Sequence, residues 1–407
     1  MIMKICILSA FEDSLKRDTG PSMRIYGLAK GLTCLGHEIH VIIPSRSDAN
    51  SHIDGIAVHE VRGLYPSPIL RILSGCLGVT KSSSIFFYDL VFIARALRTI
   101  TECDVVQIEQ QTAGGFLIPL VVLAIKKPLV LDCHDTFQAL RVKHTNVMRR
   151  ILETFVEKLA YRLASRILTV SKIDRRWLEY YGVKTSESNV IPNGVDTEAF
   201  RPPDRLSRVL DGHERDSRTV VFVGNMEYEP NLEAVKAIAS KIEPIVRQRI
   251  QNVRFLIIGR TKSEMRFPNL IFAGVVDDVA RFLNASEVAI APLMSGSGTR
   301  LKILEYFSCG LPVVATRIGA EGLDVEDGVH ILIANDMGEF ASKVIGLLEE
   351  REFSLKIGNA GRKLVVSQYD WKRISLQLEA VYNRLLSGRH VTSSHDCAVP
   401  VPHLETD

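Results

Sequence analysis

The sequence predicts an α/β protein made of two tandem units, each a mostly parallel sheet with helices on both faces, the two sheets facing each other across a cleft. Short β-rich apolar runs alternate with segments of helical period, which is the pattern of repeated βαβ units. The alternation breaks in a polar stretch after residue 200 and then starts again. A chain of 407 residues also exceeds what one core usually organises, and 46% hydrophobic with 24% charged residues is enough to fill two.

In the first unit, residues 4–9 (KICILS) read as a strand. A loop containing Gly20 and Pro21 follows, then Ile25, Leu28, Ala29, Leu32 and Leu35 recur at helical spacing and Gly36 closes the helix. Residues 39–43 (IHVII), 104–108 (DVVQI), 128–132 (PLVLD) and 167–170 (ILTV) are further strands. The chain turns at 191–195 (IPNGV) and becomes polar without periodicity over 202–218. The second unit opens with a strand at 219–224 (TVVFVG) and a helix over 231–250, with Ala234, Ile238, Ile242 and Ile245 on its buried face. Strands at 255–259 (FLIIG), 270–272, 288–291 and 313–316 continue it. Both units are thus Rossmann-like. The expected boundaries are 1–200 for the first, 201–218 for a linker and 219–369 for the second. A helix over 370–387, with Trp371, Ile374, Leu378, Val381 and Leu385 on one face, crosses back to the first unit, and 388–407 is a disordered tail.

A net charge of +3 is nearly balanced, which argues against a nucleic-acid binder. Seven cysteines, widely spaced and without a Cys-x-x-Cys pair, argue against a disulfide framework or zinc site and point to a reducing cytoplasm. No cleavable signal is expected at the amino terminus. The apolar run 116–125 contains Pro119 and is half the ~20 residues needed to span a bilayer.

Ligands of open parallel sheets bind beyond the carboxyl ends of the strands, so the residues following each strand are the ones to inspect. Segment 291–316 (APLMSGSGTRLKILEYFSCGLPVVAT) is the richest. Gly296, Ser297, Gly298 and Thr299 follow a strand, and a helix begins near Thr299 or Arg300. Uncrowded N–H groups at a helix start bind anions, and Arg300 and Lys302 add positive charge. Glu305, one and a half turns in, is placed to accept two ribose hydroxyls. The same residues also suit a plain helix-capping turn with a solvated surface acid.

The segment resembles the donor-binding signature of the family 4 retaining glycosyltransferases: strand, glycine-rich turn, helix with an acid, then Cys309-Gly310-x-Pro312-Val313-Val314. Other landmarks agree in order. They are Gly36-His37-Glu38 before an apolar strand, Ser171 after ILTV, residues 191–196 (IPNGVD), Phe222-Val223-Gly224 and Phe272-Ala273-Gly274. The similarity covers residues 3–386 and implies the GT-B fold, with the first unit holding the acceptor and the second a nucleotide-diphosphate sugar. It implies a retaining hexosyltransferase acting on a glycan or lipid-linked acceptor, as in polysaccharide biosynthesis. By this resemblance Gly224, Asn225, Gly274 and the 296–305 residues bind the donor, with Gly274 meeting the base, and His134, after PLVLD, faces the donor sugar. Gly20 either lets backbone approach the donor phosphate or belongs to a flexible loop.

Three positions depart from the family pattern. Ser297 stands where a second glutamate usually precedes Glu305 by eight residues, and Asn225 and Pro230 replace the Arg and Lys that clamp the diphosphate. Without Asp-x-Asp anywhere, no metal and no cofactor are expected, and charge must be met by helix N–H groups and basic side chains, Arg300 ahead of a solvent-facing Lys302. Residues 141–176 hold ten Lys or Arg against three Asp or Glu. That excess is either a solvated helix face or a peripheral contact with anionic membrane at the inner surface. Two other functions stay open: sugar-nucleotide binding without catalysis, and a nucleotide-sugar 2-epimerase of the same fold.

Overall fold

The computed structural model describes residues 2–9, 14–17, 19–63, 90–110, 117–134, 147–184, 188–202, 218–261, 267–296 and 298–388. The linker segment 203–217, the tail 389–407 and Ser297 lie outside the described residues.

The first half supplies strands β1 (Lys4–Leu8), β2 (Glu38–Ser45), β3 (Ala49–Ile53), β4 (Ile56–Arg62), β5 (Val105–Gln110), β6 (Leu129–Cys133), β7 (Arg166–Thr169) and β8 (Ser188–Val190). Its helices are α1 (Gly20–Cys34), α2 (Leu90–Glu102), α3 (Leu117–Ala124), α4 (Val147–Leu163) and α5 (Lys172–Tyr180). The strands form one sheet in the order β3-β4-β2-β1-β5-β6-β7-β8, parallel except for the β3–β4 pair. That hairpin was missed in the sequence, although Asp54 and Gly55 at its tip, with φ of 50° and 83°, carry the Asp-Gly signal of a tight turn. Every residue of β3 is exposed, so no hydrophobic alternation marked it.

The second half supplies β9 (Arg218–Val223), β10 (Val253–Ile258), β11 (Leu270–Gly274), β12 (Val288–Ala291), β13 (Val313–Thr316) and β14 (Leu332–Ala334). Its helices are α6 (Glu229–Ala237), α7 (Glu243–Arg249), α8 (Val279–Asn284), α9 (Leu301–Ser308), α10 (Met337–Glu349), α11 (Arg351–Leu364) and α12 (Trp371–Leu386). The sheet runs β11-β10-β9-β12-β13-β14, all parallel. Chain order reverses between β9 and β12, as it does between β1 and β5 in the first sheet, and such reversals open the ligand crevices of doubly wound folds.

A π-turn over Ile238–Ile242 joins α6 to α7, with the Glu243 N–H donating to the Ile238 carbonyl. The wider turn rotates α7 about its axis, so Val246 is buried and Ile245 is exposed, where helical spacing alone expected Ile245 inside. Helix α12 lies on the first sheet: Ile374, Leu378, Val381 and Tyr382 share a core with Ile5, Ile25, Leu28 and Val41. Glycines let α1 meet it closely, because a Cβ on Gly27 would stand 2.3 Å from the Trp371 ring and one on Gly31 1.9 Å from Ser375 Oγ. The two connections between the halves run side by side, with Val195 N–H donating to Tyr369 O at 2.9 Å and Arg362 gripping the carbonyls of Thr197 and Ser308 at 3.0 and 2.7 Å.

Candidate active site between the two sheets

On the first sheet a polar network is buried at the carboxyl ends of β5 and β6. Asp132 and Glu109, both fully buried, would repel each other in an apolar interior. Arg24 of α1 meets Asp132 bidentately, Nε at 2.9 Å and Nη2 at 2.8 Å, and its Nη1 reaches Pro192 O at 3.0 Å and Asn193 Oδ1 at 3.1 Å. Gln107 Nε2 donates to Glu109 Oε1 at 2.7 Å, while the Tyr382 hydroxyl of α12 donates to the side-chain amide oxygen Oε1 of Gln107. The remaining Glu109 oxygen lies 2.6 Å from His134 Nε2. His134 sits just past β6 with its side chain only 11% exposed, at the rim of this network. Burial and the neighbouring Asp132 raise the Glu109 carboxyl above its usual range, and His134 opposes that shift.

Sequence reasoning found His134 but not its supports. Arg24, Gln107, Glu109, Asp132 and Tyr382 read as ordinary strand and helix residues, and sequence separations up to 275 keep Gln107 from being linked to Tyr382. Interior polar residues in otherwise apolar strands (DVVQIEQ, PLVLDC) were the available signal.

Across the cleft, β12 ends in a turn in which Gly296 and Gly298 adopt φ of 110° and 76°, values costly for residues with a Cβ. Arg300, 7% exposed, is the residue before α9, and its guanidinium lies against Gly296. The hydroxyl of Thr299 is buried without a hydrogen-bond partner among the described residues. At the end of β9, Gly224 N–H donates to Ile258 O at 2.9 Å, and Gly259 admits no Cβ because its position would fall 2.1 Å from Gly224 O. The Asn225 side chain is used locally, accepting from Glu227 N–H at 3.0 Å. Gly274, with φ of 70°, closes β11 and accepts from Gly259 N–H at 2.7 Å.

Glu305 on α9 is 9% exposed rather than a surface acid, and its carboxylate makes no hydrogen bond among the described residues. Burial pushes it up to about 7, Lys302 opposing. The expected solvent-facing Lys302 is corrected by the structure. Its ammonium turns inward, 2.8 Å from Asn231 Oδ1 and 4.2 Å from the centre of the Phe222 ring. Burial, helped by the Arg300 charge, lowers it to about 7. Gly20 is the first residue of α1 rather than part of a loop, behind the capping residue Thr19.

The two sides meet at these residues. A Cβ on Gly20 would lie 3.5 Å from Leu301, one on Gly298 3.8 Å from the His134 carbonyl, and one on Gly322 3.4 Å from Ser171. Lys172 and Asp324 bridge the outer edge at 2.9 Å.

Two such sheets with facing switch points constitute the GT-B fold of glycosyltransferases. Solved structures sharing it include sucrose-phosphate synthase from Thermosynechococcus elongatus, with a TM-score of 0.73 at 17% identity over 95% of this chain and 100% of that one. Another is the Anabaena protein HepE in complex with UDP and glucose, at 0.65 and 16% over 94% and 99%. The family models "Glycosyltransferase Family 4" and "Glycosyl transferases group 1" match residues 19–199 and 217–350. A phosphatidyl-myo-inositol mannosyltransferase of Mycolicibacterium smegmatis is 30% identical over 383 residues, 89% of each chain. That of Mycobacterium tuberculosis H37Rv is 31% identical over 301 residues, 69% of this chain and 73% of its own. The chain belongs to the family 4 glycosyltransferases.

Proposed function

We propose that this glycosyltransferase moves a hexose from a nucleotide-diphosphate sugar to a lipid-linked or glycan acceptor, with retention at the anomeric carbon. The observation that carries this reading is the closeness of the buried Glu109–His134 pair to the glycine turn of the second sheet, where a Cβ on Gly298 would lie 3.8 Å from the His134 carbonyl. In this reading Glu305 accepts the ribose hydroxyls, and the turn receives the diphosphate on backbone N–H groups. With His134 Nε2 held by Glu109, its Nδ1 is left to meet a hydroxyl of the donor sugar.

Retention without a named protein nucleophile follows from attack on the face the phosphate leaves. The acceptor oxygen bonds to the anomeric carbon as the carbon–phosphate oxygen bond breaks, and the acceptor proton passes to the departing phosphate oxygen. The mycobacterial relatives carry phosphatidyl-myo-inositol in their names, which makes an inositol phospholipid the first acceptor to try. An acceptor of that kind fits the basic excess in 141–176 and a docking position on anionic membrane. No helix among the described residues is long and apolar enough to cross a membrane.

The test is a panel of nucleotide sugars, GDP-mannose and UDP-glucose included, with phosphatidylinositol vesicles, reading the product's anomeric configuration by proton NMR. A retained linkage is expected. An inverted product, interconversion of the donor, or tight donor binding without transfer or hydrolysis would each reject the reading, the last in favour of a binding protein.

A further inference from the structure

The diphosphate of a nucleotide sugar brings roughly two negative charges, more than the partial charge of one helix start can balance. The positions where the family resemblance expects cations hold Asn225 and Pro230. The Asn225 side chain is committed to the turn, and Pro230 sits in the first turn of α6 without a charge. Nearby exposed cations are engaged elsewhere, Arg260 with Glu227 at 3.6 Å and Lys236 with Glu229 at 4.0 Å.

We propose that Lys302, reaching from α9 across to the start of α6, supplies the cation of the diphosphate subsite. The proposal rests on the nucleotide-sugar reading above. The ammonium arrives at the carboxyl end of β9, the sheet's switch point, held over the Phe222 ring and by Asn231 Oδ1. Asn231 is fixed in turn, since its Nδ2 donates to the Asn225 carbonyl at 2.9 Å, which orients the amide oxygen toward the lysine. Gly224 keeps the floor bare: a Cβ there would press Asn231 at 2.9 Å. An ammonium has three protons, and Asn231 takes one, leaving two without partners among the described residues. Arg300 is two positions away and so points to a different side of α9, against Gly296.

The charges acting on Lys302 are those of Arg300, just before α9, and Glu305 on its own helix, while the facing strand and helix present the neutral Phe222 and Asn231. With its pKa lowered toward 7, the free lysine is only partly charged at pH 7.5 to 8, and a bound diphosphate draws a proton onto it.

Calorimetric titration of the full chain with UDP, GDP and the matching nucleosides tests this, each in two buffers of different ionisation enthalpy at pH 7.8. Wild type is expected to take up a proton on binding diphosphate. Lys302→Met, which keeps the apolar stem, should bind diphosphate about 10- to 100-fold more weakly, lose the proton uptake and bind nucleoside unchanged. Lys302→Arg should restore part of the affinity without the uptake. Diphosphate affinity in Lys302→Met within twofold of wild type, or its loss in Arg300→Met instead, overturns the assignment while leaving the nucleotide-sugar reading intact. Wild type that binds neither diphosphate overturns both.

Discussion

Burying an acid costs stability, and Glu305 shows how the cost varies with pH. Its carboxyl is pushed up to about 7 in the fold, above the unfolded value, so its favourable contribution is whole below the unfolded pKa and is lost as pH rises through about 7. Glu305→Gln is therefore expected to stabilise the protein by about 1–2 kcal/mol at pH 8 and by less at pH 5. Urea unfolding at both values checks the sign, and a pH-independent difference would show that the carboxyl is not desolvated. The same variant should weaken free nucleotide binding by about 1–2 kcal/mol, through loss of charge-assisted bonds to ribose. Arg24 presents the opposite case. Arg24→Met strands the fully buried Asp132 without its cation and should cost about 3–5 kcal/mol, much of it recovered when Asp132→Asn is added. Equal denaturation midpoints for the single and double variants would contradict this.

Among elements, α1 and α12 carry the closest approach. Gly27 and Gly31 are one turn apart on α1, and both face α12. Gly27→Ala puts a methyl into the Trp371 ring, which should destabilise by about 1–3 kcal/mol, with Trp371→Leu relieving it. A double-mutant cycle read by chemical denaturation should give a coupling of about 1 kcal/mol or more, and additivity would mean that Trp371 simply moves aside. The same interface delivers Tyr382 to Gln107, so helix docking is mechanically joined to the His134 network. Helix α9 plays the equivalent part opposite, since Tyr306 Oη accepts from Val223 N–H at 2.7 Å and ties the helix to the end of β9.

At the scale of the whole molecule, the cleft concentrates polar groups that could suggest a metal. Ligand atoms of Glu109, Asp132 and His134 lie within 4.8 Å of one another. Each of the four carboxylate oxygens is already engaged: Arg24 donates to both Asp132 oxygens, Gln107 donates to one Glu109 oxygen, and His134 Nε2 lies 2.6 Å from the other. Turnover is expected to stay within about twofold after exhaustive chelation. Loss restored by magnesium or manganese would overturn the metal-free reading. The proposed membrane docking is tested at the same scale. Co-sedimentation with phosphatidylserine vesicles should fall with added salt and in the Arg149→Glu, Arg150→Glu double variant, and equal partition onto neutral vesicles would reject it.

The period of the apolar residues was enough to determine two doubly wound sheets, because alternation of strand and helix permits few other architectures. The glycine turn at 296–298 and the acid at 305 stand out because they follow a strand, where such sheets expose their ligand sites, whereas His134 stands out only through the resemblance to family 4. Sequence alone could not orient Lys302. A position on α9 faces solvent or interior according to what packs there, and here Phe222 and Asn231, about seventy to eighty residues away, drew it inside. Nor could it assemble Arg24, Asp132, Gln107, Glu109 and Tyr382, whose contacts cross up to 275 residues. Local propensity determines the elements, but which buried charges neutralise one another depends on distances that exist only after the sheets and α12 have packed.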